Sequence, residues 1–242
     1  MGFRRMKRFY LFRNEAAIGI SLAALASVGL PGCPEPAPVT DLSPATLAGL
    51  KPTVKNGGVQ VYLLRGLDDI FSTGLNTLAS KMNNQGISAL SISGTTWPSL
   101  AAAIEDSYSS GTWRGDLVLV GHSYGCDDAV RLATELDSKG IPIPLMLLLD
   151  ATNPPPMPDN VDRCVHYYIP TIFTKIDPDV FAGTPVQPTP GNTHTQLINE
   201  VVSQENFGPG VQGVEHFSID SSDTLHQAII QEVLKLTPSP PK

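Results

Sequence analysis

Cysteine is scarce in this chain: three occur in 242 residues, at positions 33, 126 and 164, beside five histidines. No cysteine or histidine pair has the spacing of zinc ligands, so a metal site has no support. No Gly-x-x-x-x-Gly-Lys run occurs, which removes the commonest phosphate-cradling loop, and no cofactor is implied. No internal repeat is visible, which excludes a solenoid or propeller. Long apolar runs are missing too. The N-terminal run 16–30 falls short of roughly 20 residues, the length a membrane-spanning helix needs.

Positive charge is in short supply. The chain has 16 Lys and Arg against 23 Asp and Glu, a formal net charge of −7. Five of the cations (Arg4, Arg5, Lys7, Arg8 and Arg13) precede residue 33, against one acid, Glu15. The remainder holds 11 basic and 22 acidic residues, a net of −11. A surface this acidic repels phosphate backbones, so no nucleic acid partner is expected. What the chain does have is 41% hydrophobic and 16% charged residues, the balance of a globular protein, and length enough for one sizeable core. Its 22 prolines gather at 31–52, 142–158, 170–190 and in the tail 238–242, which marks loops.

The first 32 residues read as a secretory signal peptide: basic residues, an apolar run, then Pro31-Gly32-Cys33. Leu30-Pro31-Gly32-Cys33 also resembles a bacterial lipobox, with leucine at −3, glycine at −1 and cysteine at +1; proline at −2 departs from that pattern. On that reading Cys33 is the lipidated mature N-terminus and a membrane tether. The Pro-rich stretch 33–56 then suits a spacer. The expected location is exported, periplasmic or anchored at the cell envelope. Cys126 and Cys164 are expected to be free and buried, with Cys164 near the lower end of a strand 165–169 and too far from Cys126 to pair.

One folded domain is expected over 57–237, organised around Asp116-Leu117-Val118-Leu119-Val120-Gly121-His122-Ser123-Tyr124-Gly125. An apolar strand runs straight into Gly-x-Ser-x-Gly, and a helical pattern follows over 126–138. That order holds a serine hydroxyl up on a sharp turn at the end of a sheet. Before it, the pattern predicts a strand at 59–64, a helix at 70–85, a strand at 88–93 and a helix at 97–108. After it come strands at 145–149, 164–169 and 196–202, and a closing helix at 222–236. Strands alternating with helices imply an α/β fold: a mostly parallel central sheet with helices on both faces. Functional groups then collect at the carboxyl ends of the strands.

A serine hydroxyl needs an imidazole to take its proton, and the imidazole needs a carboxylate to hold its tautomer. Of the five histidines, His122 precedes Ser123 and should point away from the hydroxyl. His166 lies in a strand, His194 in a Pro/Gly-rich loop, and His226 in the last helix. His216 lies in a Gly-rich loop between the last strand and the last helix, and is the leading base. Asp150 ends the strand after the serine's helix and is the leading carboxylate; Asp177, with Asp179 close behind, is the alternative acid. The oxyanion donors would be the N–H groups of Tyr124 and of Leu67, with Gly66 keeping the approach open.

These residues resemble the α/β-hydrolase superfamily over about 59–236. Arg65-Gly66-Leu67 stands where many members carry His-Gly, and Gly121–Gly125 matches the nucleophile elbow. Leu147-Leu148-Leu149-Asp150-Ala151 is similar to thioesterase domains, and His216-Phe217-Ser218-Ile219-Asp220 to the pre-helix histidine loop. More narrowly the chain resembles small bacterial exported thioesterase- or lipase-like serine hydrolases. Only the Pro-rich 152–163 is available as a lid after the acid, so a minimal lid or none is expected. The resemblance implies cleavage of a small-molecule or lipid-like ester or thioester through a Ser-His-Asp triad and an acyl-enzyme. The alternative is a catalytically silent envelope binding or accessory protein on the same fold.

Overall fold

The structure, a computed structural model, describes residues 37–39, 42–54, 57–66, 72–170 and 183–236. Six strands occur among these residues: β1 Val59–Arg65, β2 Ser88–Ser93, β3 Asp116–His122, β4 Ile143–Leu149, β5 Val161–Tyr168 and β6 Gln196–Val201. They form one sheet in the order β2-β1-β3-β4-β5-β6, and every neighbouring pair is parallel. The helices of the described residues are α1 Pro44–Gly49, α2 Gly74–Asn84, α3 Trp97–Ser109, α4 Tyr124–Asp137, α5 Gln204–Phe207 and α6 Asp223–Leu234. None of them is long and apolar enough to cross a membrane.

The continuous apolar strands follow from burial on both faces. Side chains alternate along a strand, so each one feeds two layers. In β3, Leu117 and Leu119 enter one layer while Val118 and Val120 enter the other. Tyr62 and Leu64 of β1 oppose Val61 and Leu63 in the same way, as do Met146 and Leu148 of β4 against Leu145 and Leu147. Leu100, Ile104, Ala129 and Leu136 of α3 and α4 complete the first layer. Leu75, Leu78, Met82, Ile229 and Val233 of α2 and α6 complete the second. Each fully buried Leu, Ile or Val contributes ~1.5–3 kcal/mol, so β1, β3 and β4 anchor the sheet. Pro98 falls in the first turn of α3, where a missing N–H breaks no helical bond.

Most elements shift by one or two residues at their ends, and three larger differences from the sequence reading have a tertiary reason. The helix expected from residue 70 begins at Gly74; residues 67–71 lie outside the described residues. Gly74 N–H donates to the Asp220 carboxylate at 2.7 Å, and a Cβ there would stand 2.2 Å from the Asp220 carbonyl oxygen. Contact with the distant 220 segment therefore sets where α2 starts. β5 begins at Val161, because Ile143 and Leu145 of β4 pair with Val161 and Arg163; the polar Asp162 and Arg163 hide its start from a hydrophobicity pattern. Cys164 is thus mid-strand, not at the lower end. It shares one buried layer with Cys126, and both thiols are free.

The third difference concerns the stretch 33–56, expected as a spacer. Within it, residues 42–54 pack on the domain. Ser43 caps α1, Leu50 is buried, and Leu42, Leu47 and Val54 lie against the first apolar layer. Tyr62 Oη donates to the Leu50 carbonyl at 2.6 Å, and Lys51 pairs with Asp106 at 2.6 Å. The leucines are spaced for a short helix whose one apolar side needs a surface to cover. Prolines in the flanks conceal that pattern.

The strand order carries a functional consequence. The chain leaves β1 for β2 on one side and then returns to β3 on the other side of β1. The strand order therefore reverses between β1 and β3, and parallel α/β sheets bind ligands at the carboxyl ends of the strands at such a point. Gly66 follows β1 and Ser123 follows β3.

Candidate active site

Ser123 sits between the last residue of β3 and the first of α4, at φ 57° and ψ −130°. L-residues rarely take this conformation, and it costs on the order of 1–3 kcal/mol. The turn is held by its surroundings. Ser123 N–H donates to Leu149 O at 3.1 Å, and Cys126 N–H to Ser123 O at 2.9 Å. The two motif glycines are required by packing. A Cβ at Gly125 would lie 2.0 Å from the Leu64 carbonyl oxygen, and one at Gly121 would lie 2.6 Å from the Cys126 Cα. The helix therefore crosses directly over β1 and β3, which lifts the serine to the sheet's edge.

His216 reaches the serine from a loop after β6 and α5. Its Nε2 lies 3.0 Å from Ser123 Oγ, and its Nδ1 lies 2.8 Å from Asp150 Oδ2. A carboxylate oxygen can only accept, so Nδ1 carries the proton and Nε2 accepts from the serine hydroxyl. Asp150 follows the last residue of β4 at φ 49°, a left-handed conformation that Asp tolerates better than most residues. Its Oδ1 accepts from Ile169 N–H at 3.0 Å, so both oxygens are committed. Asp150 is 1% exposed, whereas the His216 side chain is 14% exposed and Ser123 8%. Solvent thus touches the serine–histidine end of the run and hardly the carboxylate.

Tyr124, the first residue of α4, presents its N–H at the positive end of the helix dipole. A Cβ on Gly66 would stand 3.2 Å from that nitrogen and 3.0 Å from Ser123 Cβ. Glycine at 66 keeps this space open. Gly66 N–H is itself engaged by Ser72 Oγ at 2.9 Å. Leu67, Asp177, Asp179 and Cys33 lie outside the described residues.

The other histidines have partners of their own. His226 is buried in α6, donating to Asp220 O at 2.5 Å and accepting from Lys81 at 2.9 Å. His194 pairs with Asp162 away from the site at 2.8 Å. His166 and His122, neither assigned a role from sequence, support the site from below. Ala151 N–H donates to His166 Nε2 at 3.1 Å, and His166 Nδ1 donates to Asn199 Oδ1 at 3.1 Å, which pins the turn after Asp150 to β6. Asp127 does similar work from α4, accepting Asn153 N–H at 3.0 Å. Thr152 was also missed: its hydroxyl donates to Ser123 Oγ at 3.3 Å. No local pattern marks Thr152, because a threonine in a Pro-rich turn reads as loop.

Burial pushes His166 down to about 4 and His122 down to about 3, in the latter case helped by the nearby charge of His216. Both are neutral in the fold, yet both charge in the unfolded chain below about pH 6.5. The unfolded state then binds more protons, so their neutral burial favours folding above pH 6.5 and loses that advantage as pH falls toward 4. Urea unfolding is expected to show this fall. His166→Gln should flatten its slope by up to about 1.4 kcal/mol per pH unit between pH 4 and 6.5. An unchanged slope would mean that His166 is not held neutral.

A parallel doubly covered sheet, a strained serine at the turn from β3 to α4, and a carboxylate and histidine delivered to the same edge define one architecture. The chain has the α/β-hydrolase fold. No family model and no curated protein matches the sequence. Several solved structures are similar to it in part. One is a Xanthomonas campestris protein assigned to the α/β hydrolase superfamily, at 14% identity and TM-score 0.39, covering 74% of this chain and 97% of that one. ClbQ of the colibactin pathway has 11% identity and TM-score 0.43, with 74% and 98% covered. A structure from the metagenome-derived lipolytic enzymes LipS and LipT has 11% identity and TM-score 0.40, with 77% and 96% covered.

Proposed function

We propose that the chain is an exported serine hydrolase that cleaves a carboxyl ester through an acyl-enzyme. The observation that carries this reading is the hydrogen-bonded run from Ser123 Oγ through His216 to the Asp150 carboxylate. Ser123 Oγ attacks the ester carbonyl while its proton passes to His216 Nε2. The tetrahedral oxyanion is held by the N–H groups of Tyr124 and Leu67. His216 returns the proton to the leaving alkoxide, and the alcohol departs. Water then attacks the acyl-enzyme, giving its proton to His216; the proton returns to Ser123 as the acid leaves. Asp150 keeps Nδ1–H in place and stabilises the imidazolium.

Esters are preferred over thioesters because an exported compartment holds little acyl-CoA or acyl-carrier protein. The test is a panel of p-nitrophenyl esters and acyl-thioesters of graded chain length on the mature protein, with fluorophosphonate labelling of the serine. Turnover of esters with labelling at Ser123 is expected. A folded protein that neither turns over nor labels would instead be a silent binding module.

The location rests on the N-terminal sequence. Cys33 as a lipidated terminus places a short link before Val39, whose N–H donates to Thr95 O at 2.8 Å just past β2. Six residues of chain reach at most about 20 Å, so the carboxyl edge of the sheet, with Ser123, would stay near a membrane. That favours a lipid-like ester as substrate. Cys33→Ser is expected to move the protein from the detergent phase to the aqueous phase or leave it unprocessed, since a multiply acylated cysteine anchors firmly. A mature N-terminus elsewhere, with no bound lipid, would end this part of the proposal.

A further inference from the structure

His122 occupies the variable position before the serine, and its ring is fully buried with both nitrogens engaged. Its Nε2 lies 2.8 Å from the backbone carbonyl oxygen of His216, and its Nδ1 lies 2.8 Å from Ser72 Oγ. A carbonyl only accepts, so Nε2 carries the hydrogen and Nδ1 accepts from the Ser72 hydroxyl. Ser72 Oγ in turn accepts from Gly66 N–H at 2.9 Å. Every donor in the run Gly66, Ser72, His122, His216 therefore has a defined direction. It ties the loop leaving β1 to the loop carrying His216, with β3 between them. These loops are 150 residues apart in sequence, and the two histidine rings lie 5.3 Å apart, tilted by 40°.

We propose that His122 is a positioning residue: as a neutral imidazole it sets the height of the His216 backbone above Ser123 and registers it against the Gly66 side of the site. The inference rests on the hydrolase reading above for its kinetic consequence, but its geometric content stands apart from turnover. Neutrality matters because a second positive ring beside His216 would oppose the imidazolium formed in each half-reaction. Burial supplies that neutrality, and a lysine or arginine at 122 would not. Holding a base within a few tenths of an ångström is where such support acts, since a misplacement of about 1 Å can lower a rate by about 10²-fold. The hydrogen-bonding demand is specific: one donor toward His216 O and one acceptor toward Ser72.

The test compares His122→Leu, His122→Gln and Ser72→Ala on the full chain. Leucine fills the volume but offers no donor to His216 O. It is expected to lower kcat about 10²-fold with KM within about twofold, because the base and not the ligand contact has moved. Glutamine, whose terminal amide can reach His216 O as Nε2 does, is expected to recover kcat to within about tenfold of the parent. Ser72→Ala, which keeps the ring but loosens its tautomer, should give an intermediate loss and stands in for leucine where leucine fails to fold. A second readout is independent of activity: the downfield proton resonance of His216 Nδ1–H, which should shift or broaden in the leucine variant and return in the glutamine one. An unmoved resonance with unchanged kcat, in variants that unfold at the parent temperature, would overturn the inference. A parent that shows no turnover, while the resonance still responds to His122→Leu, would instead sink the hydrolase reading and leave the positioning role standing.

Discussion

Replacing Ser123 by alanine is expected to lower kcat by about 10⁴-fold or more, with the fold intact. Alanine carries the same Cβ, so the unusual backbone conformation at 123 costs no more than before. The backbone bonds that hold the turn, Ser123 N–H to Leu149 O and Cys126 N–H to Ser123 O, involve no side chain. Only the hydroxyl is lost, and with it the proton that His216 would take. His216 keeps its bond to Asp150, so the base should remain in place with nothing to act on. The measurement is kcat on the best ester of the panel, set beside the thermal unfolding midpoint. Equal turnover in parent and variant would exclude Ser123 as nucleophile and with it the acyl-enzyme. Loss of fluorophosphonate labelling in the same variant would show that the reagent reports on this hydroxyl.

Asp150→Asn is expected to be nearly as severe, about 10⁴-fold in kcat, for a reason visible in the carboxylate's two partners. Oδ1 accepts from Ile169 N–H and Oδ2 from His216 Nδ1–H, so both positions demand an acceptor. An asparagine supplies only one. If its oxygen stays with the half-buried Ile169 N–H, its NH2 faces His216 and forces Nδ1 to accept. The proton then sits on Nε2, facing Ser123, and the imidazole cannot serve as base. The reverse orientation sets NH2 against Ile169 N–H, leaving two donors opposed. Asn accepts the left-handed backbone at 150 as readily as Asp, so the substitution should not unfold the chain. Partial recovery of activity at high pH is expected, since hydroxide can replace the missing base. Asp177→Asn, made in parallel, should cost far less. A larger loss in Asp177→Asn than in Asp150→Asn would transfer the orienting role to Asp177.

The sequence by itself determined the architecture and the place of the serine. Unbroken apolar runs such as 117–120 and 145–149 demand cover on both faces, which means a parallel sheet between helix layers. Gly121 to Gly125 marks the strand-to-helix turn because nothing larger than glycine fits at either end, a constraint written in five adjacent residues. Periodicity and turn chemistry depend on near neighbours in the chain, so they are legible without the fold. Tertiary structure alone decided the rest. The sequence offered His216 and Asp150 as leading candidates, but only the fold set His216 between Ser123 and Asp150, partners 93 and 66 positions away, through strand register and loop reach. It brought Thr152 to the serine and gave His122 two partners on loops that sequence treats as unrelated. It folded 42–54 onto the domain where proline content suggested a spacer. Hydrogen bonds between distant residues depend on which strands lie side by side, and no local pattern of polarity encodes that order.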